Sequence, residues 1–417
     1  MSVATDTGSL CPKCKGRLAP VSAVPTWCTS CEWRLGVFDA QRAPRQWAFR
    51  LGDRVDHWIA FRLNRRRYAS SAGRSIGYRG NPFVRVALWL LAVPMLLVGP
   101  VCVVYGCYLM ATGPALSPVL GFVLVLAGAP TLWPWPWRRH RRGWEQWPVG
   151  PAEAPAFFAL IGRVAAAAGA PMPHEIVLDH HVDAYTTVRG LRRRRVLAVG
   201  LPLWASLAEQ ERIVLLAHEL GHFVNHDSRR GLVVGGGLRA LRTIMNVLGL
   251  TPRRGFWLIA PFLFVLTVAL WLISTAMLVL IGQDSQRAEY LADQIATRVG
   301  GSAAASTAFD ALIVASRLYP AMAAGRQDRA DPKSWRAAAL HAQSRVDIDL
   351  ARQLSLREQA SLLFSHPPFG LRGRMVRSRP ACEPEVTFTA QEWAAADVEL
   401  APWFAKLRTR IADHQRY

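Results

Sequence analysis

The sequence predicts a mainly α-helical membrane protein with transmembrane helices, a soluble α+β domain with a small sheet, and a small cysteine-rich N-terminal domain. Long apolar runs lie beside clusters of arginine, and short strand-like segments separate two groups of these runs. The 417 residues are 51% hydrophobic and carry a formal net charge of +21. This combination is typical of a membrane protein with basic flanks.

Four cysteines form two C-x-x-C pairs near the N-terminus, Cys11 with Cys14 and Cys28 with Cys31. The spacing is close to that of a zinc ribbon, in which four thiolates hold one structural Zn²⁺. Disulfides are the alternative, but tight pairs in a reducing compartment favour zinc. We therefore predict a zinc ribbon over residues 1–40. Residues 1–10 lack a secretory signal, so we expect a cytosolic N-terminus.

Residues 41–82 are rich in arginine, with aromatic residues interleaved. Nucleic-acid binding is one explanation of this mixture. A basic linker that forms an interfacial helix on anionic lipid is the other, and its position directly before an apolar run favours it.

Two apolar runs follow, Phe83–Ala111 and a second that ends at Trp137, with an uncharged turn between them. Each is long enough to cross a bilayer. The second run ends in three tryptophans, Trp133, Trp135 and Trp137, and the basic run 138–142 follows them. This is the pattern of an interfacial aromatic belt followed by positive charge. We predict a transmembrane hairpin over residues 83–137 with both ends in the cytoplasm.

A domain is predicted over residues 150–380, with membrane segments inside it at residues 231–282, and its first part, residues 150–228, has the pattern of a soluble domain. Ala152–Gly169 has the pattern of a helix, and Ile176–Leu178, Val182–Val188 and Val196–Gly200 have the pattern of strands. Residues 381–417 are interpreted as a polar C-terminal tail.

An H-E-x-x-H motif, His218–His222, lies in a segment with helical apolar spacing. On a helix, His218 and His222 project from one face and can bind one Zn²⁺, while Glu219 lies beside them to act as a general base. The position of a third histidine in metzincins is occupied by Ser228, so a third ligand has to come from elsewhere.

Phe256–Ile281 is a predicted membrane span. A third ligand downstream of this span must lie on the same side of the membrane as the two histidines. The chain between them must therefore cross the membrane an even number of times. Leu232–Leu250 is the candidate partner, although Arg239 and Arg242 are costly near a bilayer centre. We expect a hairpin within residues 231–282; the alternative is that one or both segments lie along the interface or pack within the protein.

Glu289 and Asp293 follow that span with helical spacing. Glu289 is placed to be the third zinc ligand, and Asp293, one turn later, can hydrogen-bond a ligating imidazole. Solvated acids on an ordinary amphipathic helix are the alternative for these two residues alone.

These segments together resemble the HtpX-type membrane zinc metalloproteases, relatives of the CAAX prenyl proteases. The resemblance spans roughly residues 150–378 and is carried by Val196–Gly200, Ala208–Arg212, Leu215–His222, Asp227 and Glu289–Asp293. It implies a zincin-like catalytic domain with a gluzincin site. In such a site His218, His222 and Glu289 hold zinc, Glu219 is the base, and Asp293 supports a ligand.

Two further segments are similar to family motifs. Asp183, Ala184 and Tyr185 begin a segment similar to the family's Asn-Ala-Phe-Ala edge strand, which implies pairing with an extended substrate. Ser365–Arg372 is similar to a late His-Pro segment followed by a basic residue, which implies that His366 donates to the oxyanion. A loop histidine beside two prolines is the alternative for His366.

We therefore expect a membrane-bound zinc endopeptidase, with one catalytic and one structural Zn²⁺. Its partners would be unfolded or membrane-associated protein substrates and membrane lipid, without nucleic acid. We expect a multi-pass protein of the cell membrane, with the catalytic site and ribbon facing the cytoplasm. The rival hypothesis is a non-catalytic zinc-ribbon membrane adaptor, and a nucleic-acid regulator is a third.

Overall fold

The computed structural model confirms the predicted fold class, a mainly helical chain with one small sheet. The residues that the structure describes are 10–19, 25–39, 47–77, 81–132, 146–190, 192–224, 231–250, 260–323, 332–364 and 366–414. The helices are α1 (Trp47–Ser71), α2 (Pro82–Thr112), α3 (Ser117–Leu132), α4 (Pro155–Ala168), α5 (Leu201–Ser206), α6 (Glu209–Val224), α7 (Gly231–Leu250), α8 (Ala260–Gly300), α9 (Ser302–Ala323), α10 (Pro332–Ser344), α11 (Ile348–Glu358), α12 (Phe369–Arg377) and α13 (Ala390–His414). The strands are β1 (Trp147–Val149), β2 (Glu175–Asp179), β3 (Ala184–Arg189) and β4 (Arg194–Gly200).

The chain divides into two compact units. The first contains residues 1–77, 144–225 and 288–417, and the second contains residues 78–143 and 226–287. The cysteine-rich segment and α1 therefore belong to the same unit as the sheet. The basic linker predicted over 41–82 contains a long helix of this unit; its placement on a lipid surface stays a prediction.

The sheet of the first unit has the strand order β1-β2-β4-β3. The central strands β2 and β4 are parallel, and both outer pairs are antiparallel. The strand predicted at Val182–Val188 begins instead at Ala184, because Val182 and Asp183 lie in the preceding turn. Strand β1 was not predicted from its three residues. In this order β3 is an edge strand.

The C-terminal residues 381–417, interpreted from sequence as a polar tail, include a helix of the core. Helix α13 buries Trp393, Leu400 and Trp403 in the same apolar cluster as α4. Its Glu399 carboxylate accepts hydrogen bonds from the backbone N–H groups of Ala156 and Phe157 at 2.9 and 3.0 Å. These two N–H groups lack partners inside their own helix, so Glu399 caps α4 from outside.

In the second unit α2 and α3 pack closely at glycines. A Cβ on Gly106 would lie 2.5 Å from the backbone oxygen of Gly121, and one on Gly128 would lie 2.7 Å from that of Gly99. Small residues at such crossings let helix backbones approach in membranes. Other side chains of α2, such as Phe83 at 81% and Val104 at 70% exposure, point away from protein, as lipid-facing residues do.

Among the residues that the structure describes, two helices are long and apolar enough to cross a membrane, Pro82–Thr112 and Pro261–Gly300. Within the described residues α3 is shorter than a full span, and the predicted tryptophan belt and basic run over 133–142 lie outside them. Residues 231–250 form α7, on which Arg239 and Arg242 are exposed. Whether α7 crosses the membrane stays a prediction.

Candidate metal centres

The H-E-x-x-H motif lies on α6, a helix buried along most of its length. Glu211 caps the N-terminus of this helix, because its carboxylate accepts a hydrogen bond from the Ala208 N–H at 2.7 Å. A Cβ on Gly221 would lie 3.3 Å from the Cα of Ala292 on α8. The small residues Gly221 and Ala292 therefore allow the two helices to approach at the level of the site.

This approach brings together the two histidines and Glu289. His218 Nε2 lies 3.4 Å from Glu289 Oε2, and His222 Nε2 lies 3.5 Å from Glu289 Oε1. One donor atom from each of the three residues lies within 4.8 Å of the others. The two imidazole rings are nearly perpendicular, with centroids 4.9 Å apart, so their nitrogens converge from different directions.

Asp293 lies one turn beyond Glu289, where its Oδ1 is 2.9 Å from His218 Nδ1. The carboxylate therefore fixes the ring so that Nε2 points to Glu289, as a ligating nitrogen requires. Burial and the charge of Arg372 lower the pKa of His218, but hydrogen bonds to Asp293 and Glu289 outweigh them and raise it to about 9. The surrounding carboxylates thus favour positive charge at this ring.

Arg372 of α12 completes this cluster and had no role assigned from the sequence. Its guanidinium donates to Asp293 at 2.6 and 2.9 Å, and Nη2 lies 3.1 Å from His218 Nδ1. The side chain is only 4% exposed and packs over the ring of Phe309. The available signal was its place as the basic residue that follows the His-Pro segment.

Glu219 lies beside an apolar pocket and faces strand β3. The Thr186 hydroxyl contacts Glu219 Oε2 at 3.4 Å. The pocket is lined by Glu219 and His218, by apolar side chains of α5, α6 and α9, and by His366. The predicted base therefore lies between an edge strand and an apolar cavity.

His366 is close to the centre but is half exposed. Its Nδ1 lies 2.6 Å from Glu289 Oε2, and its ring centroid is 6.4 Å from that of His218. The structure thus brings His366 to the ligand set, which leaves the oxyanion role implied by the resemblance untested.

The three predicted substrate-binding residues do not all lie at the pocket. Asp183 and Ala184 line the pocket, whereas Tyr185 packs on the other sheet face and its hydroxyl contacts Gln146. Successive side chains of a strand point to opposite faces of the sheet, so the Tyr185 side chain points away from the pocket. Desolvation and the charge of Glu219 raise the pKa of Asp183, which makes this acid more like the asparagine of the related motif.

The four N-terminal cysteines form a second cluster, whose sulfurs lie within 4.8 Å of one another. The Cys11–Cys31 and Cys14–Cys28 sulfur distances are 3.7 and 3.4 Å. These are far longer than the roughly 2.05 Å of a disulfide and close to the roughly 3.8 Å edge of a tetrahedron with Zn–S bonds of about 2.3 Å.

The two C-x-x-C turns have the same backbone geometry. Lys15 N donates to Cys11 O at 2.9 Å, and Glu32 N donates to Cys28 O at 3.0 Å. Both donors have a positive φ, 62° and 58°. Repeating this turn aims two pairs of thiols at one point, as zinc requires.

Both donor sets fit zinc. Two imidazoles and a carboxylate, or four thiolates, are its common protein ligands. Glu289 Oε2 is buried beside the imidazole nitrogens of His218 and His366, at 3.4 and 2.6 Å. Glu289 and the two histidines of the motif would hold the cation.

A buried H-E-x-x-H helix, whose imidazoles meet a carboxylate from a second helix, defines the site of a metallopeptidase. Residues 151–379 match the model of Peptidase family M48, and the chain belongs to this family. Metallopeptidases of this family use zinc.

Two curated relatives carry the name Protease HtpX homolog. The one from Pelotomaculum thermopropionicum is 28% identical over 232 residues, which cover 54% of this chain and 76% of the relative. The one from Syntrophobacter fumaroxidans is 26% identical over 247 residues, 55% and 78% of the two chains. No solved structure matches the chain. The resemblance to HtpX-type membrane zinc metallopeptidases is thereby confirmed.

Proposed function

We propose that this membrane protease is a zinc endopeptidase that cleaves unfolded or membrane-associated proteins at the cytoplasmic face. The observation that carries the proposal is the convergence of His218, His222 and Glu289 beside Glu219 and an open strand edge. The three residues would hold the catalytic zinc. The four cysteines of the ribbon would hold a second, structural zinc.

Zinc in such a site polarises a peptide carbonyl and acidifies water. Glu219 takes the proton of the attacking water and returns it to the leaving amine. Asp293 keeps His218 in the tautomer whose Nε2 is free to ligate. His366, on the solvent side of Glu289, is the residue available to donate a hydrogen bond to the carbonyl oxygen as negative charge develops there.

The substrate is proposed to bind as an added strand along β3. Gly200 N donates to Asp183 O at 2.9 Å, and inward and outward hydrogen bonding alternate along an antiparallel strand. By this alternation Ala184, Thr186 and Val188 direct their backbone groups to the free edge. Thr186 also contacts Glu219, so a peptide on this edge would pass the base.

The pocket beside Glu219 favours an apolar residue in the substrate. Leu203, Leu207, Leu215 and Leu312 contribute to its wall. Extended apolar segments are exposed in unfolded proteins and buried in folded ones. A pocket that binds such segments would therefore favour unfolded chains as substrates. Together with the membrane helices it supports a role in quality control of membrane proteins.

The cytoplasmic orientation is proposed from the sequence. The first hairpin is flanked by arginine on both sides. An even number of crossings before Glu289 would then return this residue to the side of His218. Cysteine labelling of the loop at residue 115 in spheroplasts tests this, since labelling only from the cytoplasmic side would contradict the orientation.

Glu219→Gln tests the peptidase assignment. The purified variant should retain the zinc content of the unmodified protein but lose hydrolysis of an unfolded model substrate, such as reduced carboxymethylated casein. The adaptor hypothesis expects no Glu219-dependent cleavage in either protein. Equal turnover by the variant and the unmodified chain would sink the proposal.

A further inference from the structure

The ribbon, defined as residues 10–19 and 25–39, packs on α11 of its own chain. The indole N–H of Trp27 donates to Gln353 Oε1 at 2.8 Å, and Gln353 Nε2 donates to the backbone oxygen of Thr29 at 2.7 Å. Trp27 is fully buried. It shares an apolar cluster with Leu356 and Leu371, so the contact combines polar and apolar burial.

Arg357 makes the contact specific for a folded ribbon. Its guanidinium donates to the backbone oxygens of Leu35, Pro25 and Arg34 at 2.8, 2.8 and 3.1 Å. Its Cζ also lies 4.7 Å from the centroid of Trp27. Three carbonyls can converge on one buried guanidinium only if the ribbon backbone is held in one conformation, which four-cysteine metal binding provides.

Glu32 adds a second contact, directly after the last cysteine. Its carboxylate pairs with Arg374 of α12 at 2.5 Å and with Arg65 of α1 at 2.6 Å. The Glu32 side chain is only 14% exposed. The ribbon thus bridges α1 to the helix that carries Arg372.

Helices α11 and α12 are themselves tightly joined. Ser355 Oγ accepts a hydrogen bond from Gly370 N at 2.9 Å, and Gln359 Oε1 accepts one from Phe369 N at 2.8 Å. A Cβ on Gly370 would lie 2.1 Å from the Arg352 oxygen. A displacement of α11 is therefore passed to α12, and with it to the segment from His366 to Arg372.

We propose that the metal-loaded ribbon is an internal clamp for this segment, so that metal in the four-cysteine site sets the activity of the catalytic centre. The occupant of the ribbon's inner face is α11–α12 of the same chain. Glu32, Gln353 and Arg357 are positioning residues that act through Arg372 on Asp293 and His218. The activity part of this inference rests on the proposed function; the structural part does not.

Cys14→Ser tests the dependence on metal, because Cys14 is the exposed member of the cluster. The zinc content should fall by the one ion that the ribbon is proposed to hold. Hydrogen exchange of the α11 and α12 amides should become faster. The kcat should fall about tenfold or more, which is the usual effect of disturbing residues that hydrogen-bond to metal ligands. Amides of α4, which packs against α6 and α13, are the internal reference.

Glu32→Gln and Arg374→Gln test the clamp in a chain that keeps all four cysteines, should Cys14→Ser fail to fold. Each should lower kcat about two- to fivefold, the scale of partly exposed ion pairs, with KM unchanged. The double variant should be no worse than Glu32→Gln alone, which already removes the pair with Arg374. Arg66→Gln, an exposed neighbour of Arg65, is the matched control and should match the unmodified protein.

A ribbon that only serves an outside partner would leave exchange in α12 and kcat unchanged in all these variants, and that result overturns the clamp. Equal losses in Arg66→Gln overturn it as well. Absence of any Glu219-dependent cleavage would refute the proposed function, while faster exchange of α12 in Cys14→Ser and Glu32→Gln would still support the clamp.

Discussion

Arg372 donates to both carboxylate oxygens of Asp293, at 2.6 and 2.9 Å, with both side chains almost fully buried. Two charges withdrawn from water are tolerated only when each satisfies the other. The pair leaves Asp293 able to accept from His218 without carrying an uncompensated charge. Helix α12 is thereby tied to the helix that bears Glu289.

Arg372→Gln should be strongly destabilising, because it leaves the buried carboxylate of Asp293 without its cation. Breaking one partner of a buried pair costs about 3 to 5 kcal/mol. Zinc affinity should also fall by about 10- to 100-fold, the usual effect of losing a partner behind a ligand. Arg372→Lys keeps the charge but cannot reproduce the two-pronged contact, so it should be intermediate.

Thermal unfolding and competition with a fluorescent zinc chelator measure the two effects. Arg377→Gln is the control on the same helix, since Arg377 is exposed and hydrogen-bonded to Ser306. An Arg372→Gln protein as stable as this control would show that the pair contributes little.

Gly370→Ala should destabilise the junction of α11 and α12, since the added methyl group would meet the Arg352 oxygen at 2.1 Å and Leu356 at 2.6 Å. Overpacking of this kind costs about 1 to 3 kcal/mol. Gly373→Ala is the matched control one turn later. There the methyl group would meet only the end of the Arg377 side chain at 3.3 Å, and alanine should add up to about 1 kcal/mol of helix stability.

Chemical denaturation of the two variants, followed by tryptophan fluorescence, distinguishes these outcomes. If both substitutions had the same sign, the close approach of α11 and α12 at Gly370 would not determine stability.

The parts of the site that follow from local spacing could be predicted from the sequence. His218 and His222 share a face because they are four residues apart on a helix, and the cysteine pairs converge because each pair forms one tight turn. Helix α13 could also have been predicted, since its buried residues Trp393, Leu400 and Leu407 recur with helical spacing. The charges between them concealed this pattern.

The contacts that join distant segments could not be predicted in this way. The hydrogen bond from Arg357 to Leu35 connects residues 322 positions apart, and a single sequence carries no periodic trace of such a pair. The pairing of Arg372 with Asp293 could not be predicted for the same reason, since the two residues lie 79 positions apart. Docking of the ribbon and completion of the metal site are products of tertiary packing.

Thr186→Pro should weaken substrate binding with little loss of stability. By the alternation along β3 the Thr186 N–H faces the free edge, so proline removes a contact to the substrate rather than one to β4. We expect kcat/KM to fall by about tenfold, equivalent to about 1.4 kcal/mol for a lost backbone hydrogen bond. Thr186→Val, which keeps the N–H but loses the hydroxyl near Glu219, separates the two contributions.

Steady-state cleavage of an extended peptide, with thermal unfolding as the stability reference, measures this effect. Normal cleavage by a well-folded Thr186→Pro protein would argue against strand addition at this edge.

Two zinc ions per chain should be found, and they should leave in a fixed order. His222→Ala should remove one and Cys11→Ser the other.

Four thiolates hold zinc more firmly than two imidazoles and a carboxylate, because sulfur is the softer ligand. Brief treatment with a chelator should therefore abolish cleavage with the loss of one zinc, while the amides of α11 and α12 stay protected from exchange. A mercurial that attacks thiolates should then release the second zinc and expose those amides. Simultaneous release of both ions by the chelator would contradict this order. Loss of both ions in either variant would contradict two separate sites, because their ligands share no residue.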